Sequence, residues 1–271
     1  YGSDCDDLPP GNHSCSIDGR NFEIFVPDVP GVVAMPLVID MHPMLVPARM
    51  YKYLMRWRRV AKDNGFIVAF PSGKNLPYPQ WNAGKYCCGL AQIIKPDDVG
   101  FIRDLVEHIS SIKNVNRKKV YATGYSNGGG MSFRLGCEAA DIFAAIAPIA
   151  QGNPFPDCHP SRPISLINVR GVGDMPVFIS SISRFPFSLY AAGPHPEADI
   201  ADWKEINQCV GEQVDTGRDC KTYNQCAGGV EVTYCRLTPF FPVAGLAHLS
   251  LPFVRSIPKL LWEKLSQHEL P

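Results

Sequence analysis

The chain has 271 residues, 45% of them hydrophobic, which is enough for one large domain or two small ones with a substantial core. Its 26 basic and 26 acidic residues balance, so net charge gives no case for nucleic acid or an anionic membrane as the main partner. The longest apolar run, residues 142–150, is too short to span a bilayer and contains a proline.

In chain order, residues 1–20 carry Cys5, Cys15 and several turn formers, and read as a stapled N-terminal segment ahead of a single domain over 21–271. Asn12-His13-Ser14 is an N-glycosylation sequon, with Asn12 as acceptor. Residues 21–26 predict a strand, and 36–41, with Leu37-Val38-Ile39, a buried one. Residues 51–63 have helical spacing and end near Asn64-Gly65; 66–70 predict a strand closed by Pro71-Ser72-Gly73. Residues 97–112 predict an amphipathic helix, because Val99, Ile102, Leu105, Val106 and Ile109 recur at spacings of three and four, with Asp97 or Asp98 as cap.

A strand over 119–123 leads through a glycine-rich turn into a helix over 129–140. Strands follow at 143–150 and 164–169, a helix at 199–209, a strand at 230–237, and a terminal helix at 254–266 interrupted at Pro258. Residues 171–198, rich in Pro, Gly and Ser, predict loop over the top of the sheet. The alternation indicates an α/β fold, with a mostly parallel central sheet and helices on both faces.

Ten cysteines, an even number spread along the chain, point to disulfides, an oxidising compartment and a secreted protein. No CxxC and no His/Cys cluster with zinc spacing is present, so no metal is expected. No leader is visible, so a secreted protein would be represented here by its mature form. Cys5–Cys15 is expected as a local staple. The adjacent Cys87 and Cys88 are expected to pair separately with distant partners such as Cys137 and Cys158. Cys209, Cys220, Cys226 and Cys235 are expected to pair among themselves.

Gly124-Tyr125-Ser126-Asn127-Gly128 matches G-x-S-x-G between an apolar strand and a helix rich in small residues. That context suits a strained strand-to-helix turn that exposes a serine hydroxyl. A hydroxyl is a weak nucleophile until a base takes its proton, and the base needs an orienting acid. In the order Ser, Asp, His, the candidates are Asp174 in Gly171-Val172-Gly173-Asp174 and His248 in Gly245-Leu246-Ala247-His248. Both follow predicted strands, where open α/β sheets place their sites. Asp157 and Asp199 are the alternatives for the acid, one strand too early and at a helix start respectively. His42 follows an early strand and suits an oxyanion loop better than the base.

The segment 120–150, VYATGYSNGGGMSFRLGCEAADIFAAIAPIA, resembles the secreted esterase family that includes feruloyl esterases and polyhydroxybutyrate depolymerase-like proteins. Residues 36–42, 64–73, Trp81-Asn82-Ala83-Gly84, Cys87-Cys88-Gly89, 97–101, Cys158 and Arg162-Pro163 agree with it in order. The resemblance covers about residues 20–265. It implies the α/β-hydrolase fold and a carboxylic ester hydrolase with no cofactor, acting on feruloyl, acetyl or hydroxyalkanoate esters, free or linked to polysaccharide; a monomer is expected. It implies Ser126 as nucleophile, Asp174 as acid and His248 as base. The oxyanion donors would be the N–H groups of Asn127 and of the loop after His42.

Three departures stand out. The family's His-Gly is His42-Pro43-Met44 here, and proline has no N–H, so Met44 is the expected second donor. The acid turn reads Gly171-Val172-Gly173-Asp174, and the histidine turn Gly245-Leu246-Ala247-His248. His42, Leu45, Trp81 and Leu249 are expected to contact substrate, around an acyl pocket of mainly apolar character. The alternative is a catalytically weak homologue that acts as an extracellular binding or signalling protein.

Overall fold

Leu37, Val38 and Ile39 are wholly excluded from solvent, as a central parallel strand requires. They belong to β3 (Met35–Met41). Successive side chains leave its two faces: Leu37, Ile39 and Met41 join one hydrophobic cluster, Val38 the other. The computed structural model describes residues 5–31, 34–85, 87–155, 157–173, 196–239, 248, 251 and 256–271.

Around β3 the strands are β1 (Gly11–Ile17), β2 (Arg20–Val26), β4 (Ile67–Pro71), β7 (Val115–Tyr125), β8 (Ala145–Ile149), β9 (Ser165–Gly171), β10 (Val214–Asp215), β11 (Cys220–Tyr223) and β12 (Val232–Leu237). Their order is β1-β2-β4-β3-β7-β8-β9-β12-β11-β10. From β4 to β12 every neighbouring pair is parallel; the pairs outside that block are antiparallel. A separate ribbon joins β5 (Lys74–Asn75) and β6 (Pro79–Gln80).

Helices cover both faces. α4 (Asp98–Ile112), α5 (Asn127–Glu138) and α6 (Pro196–Ile206) pack with the cluster containing Leu37. α1 (Ala48–Met55), α2 (Trp57–Asn64) and α7 (Ile257–Leu265) pack with the cluster containing Val38. The short α3 (Ala91–Ile94) precedes α4. The expected α/β-hydrolase architecture is therefore present.

Several elements differ from the sequence reading. The helix expected over 51–63 is two helices, broken at Arg56, whose backbone is left-handed at φ 54° and ψ 32°. The break lets Tyr51 and Trp57 both donate to the buried carboxylate of Asp40, at 3.0 and 2.7 Å. A straight helix would carry their side chains apart. Pro258 does not interrupt α7. It lies in the first turn, where a missing N–H costs nothing. The strand β1 and the β10–β11 hairpin carry no strong hydrophobic alternation, so periodicity does not mark them as strands.

All ten cysteines are paired. Cys5–Cys15, Cys209–Cys226 and Cys220–Cys235 follow expectation. The middle four correct it: Cys87 bonds Cys88, and Cys137 bonds Cys158. Cys137 lies in the last turn of α5 and Cys158 in the segment after β8, which brings their Cα atoms to 5.0 Å. Cys87 and Cys88 instead lie over the start of α5, against Asn127. Among the described residues no helix is long and apolar enough to cross a membrane. Among them, too, no group of three His, Cys, Asp or Glu could hold a metal ion.

Candidate active site

β7 runs into α5 through a single residue, Ser126, held at φ 55° and ψ −119°. Positive φ is costly for a residue with a side chain, so the surroundings must enforce it. They do so with backbone bonds: the Ser126 N–H donates to the Ile149 carbonyl at 2.8 Å, and the Gly130 N–H to the Ser126 carbonyl at 2.9 Å. Gly128 explains the following part of the motif. A Cβ there would lie 2.0 Å from the Met41 carbonyl oxygen and 2.7 Å from that of His42. Only glycine lets the end of β3 cross the first turn of α5 this closely. That crossing brings the loop after His42 beside the Ser126 turn.

The Nε2 atom of His248 lies 3.0 Å from the Ser126 Oγ. The His248 ring also stacks on Tyr125, with centroids 5.2 Å apart. Two residues separated by 122 positions thus meet at hydrogen-bond distance. Of the alternatives for the acid, Asp157 is exposed. Asp199 is buried and already engaged: its Oδ1 accepts from the Asn153 N–H at 2.9 Å. Burial pushes Asp199 up to about 7. Asp174 and Leu249 lie outside the described residues.

The residue after Ser126 has a structural task that the motif did not reveal. The Asn127 side chain clamps the backbone of Trp81, accepting from its N–H at 2.7 Å and donating to its carbonyl at 3.0 Å. It also donates to the Cys87 sulfur at 3.6 Å. Its backbone N–H stands at the start of α5, where helix amides have no intrahelical acceptor and the dipole favours negative charge. Among the described residues neither this N–H nor that of Met44 donates to another protein group.

His42 and Trp81 were expected to contact substrate; both are fully buried and act through the backbone instead. The His42 Nδ1 meets the Pro43 carbonyl at 2.8 Å, and its Nε2 accepts from the Gly73 N–H at 2.8 Å. This assigns the neutral ring with its proton on Nδ1, and burial pushes the His42 pKa down to about 4. The Trp81 Nε1–H donates to the His42 carbonyl at 3.1 Å. Met44 is half-buried and packs on the core, whereas Leu45 is exposed, with φ 74° and its N–H bonded to the Pro79 carbonyl at 3.2 Å.

A further layer fixes the Trp81 loop from beneath. The buried Asp98, at the start of α4, accepts from the Asn82 N–H at 2.7 Å and pairs with Arg20 at 2.6 Å. The Arg20 guanidinium lies 3.7 Å from the centroid of Phe101 and 5.4 Å from that of Trp81. The sequence signalled Asp98 only as a possible helix cap. The cap is Asp97, which accepts from the Gly100 N–H at 2.8 Å.

No protein-family model matches the chain. Over 83% of its length it is 33% identical to feruloyl esterase B of Piromyces equi, covering 42% of that protein. Over 58% of its length it is 24% identical to the bifunctional acetylxylan esterase/xylanase XynS20E of Neocallimastix patriciarum, covering 22% of that protein. The chain thus spans less than half the length of these curated relatives. Among solved structures, acetyl xylan esterase from Aspergillus awamori superposes with a TM-score of 0.67 at 12% identity, covering 94% of this chain and 99% of that one. At that identity the likeness shows the fold alone.

Proposed function

Because this chain is a homologue of feruloyl esterase B over most of its length, we propose that it is a secreted serine carboxylic ester hydrolase. The observation that carries the reading is the 3.0 Å contact between Ser126 Oγ and His248 Nε2 on a strained elbow. In this reading the Ser126 oxygen attacks the ester carbonyl carbon as His248 Nε2 takes the hydroxyl proton. Asp174 orients the imidazole. The oxyanion of the tetrahedral intermediate is held by the N–H groups of Asn127 and Met44. His248 then gives its proton to the leaving alcohol. Water, deprotonated by the same nitrogen, releases the acid and restores Ser126.

The relatives' names point to feruloyl or acetyl esters attached to polysaccharide, and small hydroxyalkanoate esters remain within the same chemistry. Five disulfides support an oxidising, extracellular setting. Asn12 is exposed on β1, as a glycan acceptor must be.

The test is hydrolysis of methyl ferulate, short acyl nitrophenyl esters and hydroxybutyrate oligomers, together with labelling by a fluorophosphonate. Ser126→Ala and His248→Ala are each expected to lower kcat by about 10⁴-fold or more with the fold intact. Ser126→Ala should also abolish labelling. A wild-type protein that neither labels nor hydrolyses any of these esters would overturn the reading in favour of a binding protein on a hydrolase fold.

A further inference from the structure

The chain is formally neutral, yet residues 49–62 hold Arg49, Lys52, Arg56, Arg58, Arg59 and Lys62 with no acidic residue among them. Packing decides where these charges go. Tyr51, Met55, Trp57 and Ala61 face the core, so the cations are left on the outer side of α1 and α2. There Lys52, Arg56, Arg58, Arg59 and Lys62 line an open groove of about 380 Å³ together with Tyr53 and with Phe25 of β2. Glu23 engages Lys52 at 2.5 Å, and Asp63 approaches Arg59 at 3.7 Å in a solvent-exposed pair. Among the described residues Arg56, Arg58 and Lys62 enter no ion pair.

The groove also presents an exposed ring beside its charges. Tyr53 is 64% exposed, with the Lys52 ammonium 5.2 Å from its centroid. The Arg58 guanidinium lies 5.4 Å from the centroid of Phe25. The site is separate from the nucleophile. Phe25 pairs with Val68 near the start of β4, whereas Ser126 follows the end of β7, and the strands from β4 to β7 run parallel. Groove and serine therefore lie towards opposite ends of the sheet.

We propose that this groove binds an acidic polysaccharide carrying uronate carboxylates. A uronic acid residue offers an anion for the unpaired cations and an apolar C–H face for an exposed ring, the two features that the groove sets side by side. The function is to hold the polymer while an ester elsewhere on it reaches Ser126. That role rests on the proposed ester hydrolysis; the binding itself does not.

Binding is therefore measured on the Ser126→Ala protein, by calorimetry and by affinity electrophoresis with polygalacturonate, with neutral arabinoxylan as control. Polygalacturonate should retard the protein, arabinoxylan should not, and the retardation should fade as salt screens the charges. The triple variant Arg56→Gln, Arg58→Gln, Lys62→Gln should bind about tenfold more weakly or worse. Made with Ser126 intact, it should keep an unchanged melting temperature and unchanged turnover of a small soluble ester. Tyr53→Ala should weaken binding while leaving its salt dependence unaltered. Equal affinity of the triple variant and its parent would overturn the proposal. So would absent polygalacturonate binding, or tighter binding to phosphatidylserine vesicles or duplex DNA. A wild-type protein that binds polygalacturonate but hydrolyses none of the esters above would sink the proposed hydrolysis and leave the groove standing.

Discussion

In the proposed hydrolysis Asn127 acts through both its backbone and its side chain. The N–H at the start of α5 is available to an oxyanion, while the amide side chain clamps Trp81 at 2.7 and 3.0 Å. Asn127→Ala keeps the N–H and loses the clamp, so it separates the two roles. Misplacing a reacting geometry by about 1 Å can cost about 100-fold, and a fall in kcat of that order with little change in KM is expected. Unchanged kcat would show that the Trp81 loop holds its position without Asn127. Gly128→Ala is a harsher change, because its Cβ would enter the Met41 carbonyl oxygen at 2.0 Å. It should lower both the melting temperature and the activity, as read by thermal unfolding and ester turnover. G-x-S-x-G made Ser126 legible, since a nucleophile elbow demands small residues at fixed offsets. The clamp was not legible, because its partner lies 46 residues away in a loop.

At the scale of elements, the disulfides act as local staples. Cys137–Cys158 ties the end of α5 to the segment after β8 across a separation of 21 residues. Cys87–Cys88 closes within the loop that Asn127 holds. Peptide mapping of the unreduced protein should find Cys137 linked to Cys158, and Cys87 and Cys88 within one fragment with no linked partner peptide. A fragment joining Cys87 or Cys88 to Cys137 or Cys158 would contradict the pairing. Replacing Cys137 and Cys158 by alanine together should destabilise the protein by about 3 kcal/mol in urea unfolding, the order expected for a loop of this length. Adjacency along the chain predicts separate partners for Cys87 and Cys88, whereas the folded loop pairs them with each other. Which cysteines meet depends on where α5 ends relative to β8, and spacing does not carry that information.

Across the whole molecule, buried titratable groups oppose one another. Burial raises Asp40 and Asp199 from 3.8 to about 7 and lowers His42 and His268 from 6.5 to about 4. Each aspartate holds a proton in the fold that the unfolded chain releases. Its relative contribution to stability is therefore full below about 3.8 and is lost as pH rises towards 7. Each histidine stays neutral in the fold while the unfolded chain takes up a proton. Its contribution is full above 6.5 and is lost as pH falls towards 4. Two opposed pairs over one window predict a nearly flat stability profile between those limits, measured by urea unfolding across pH. Asp40→Asn removes one component that falls with pH. It should lower stability throughout, because Tyr51 and Trp57 donate to different oxygens of Asp40 and the amide keeps only one acceptor, and tilt the profile so that stability rises with pH from 4 to 6.5. A variant profile parallel to the wild type would show that Asp40 does not titrate in this range.

The sequence by itself determined the alternation of strands and helices, the serine with its elbow, a histidine late in the chain as candidate partner and the even cysteine count. Each of these is written in local chemistry: hydrophobic period, glycine at a crowded turn, residue type after a strand. It also showed the net charge, which concealed the basic run at residues 49–62 because an average over the chain cannot report a local cluster. Tertiary structure alone decided that His248 reaches Ser126, that His42 and Trp81 are buried supports, that Arg56 breaks a helix so two side chains share Asp40, and that five cations line a groove. Those outcomes depend on which elements lie side by side in the sheet. Side-chain hydrogen bonds and burial act between residues far apart in the chain, over distances of a few ångströms that no local pattern encodes.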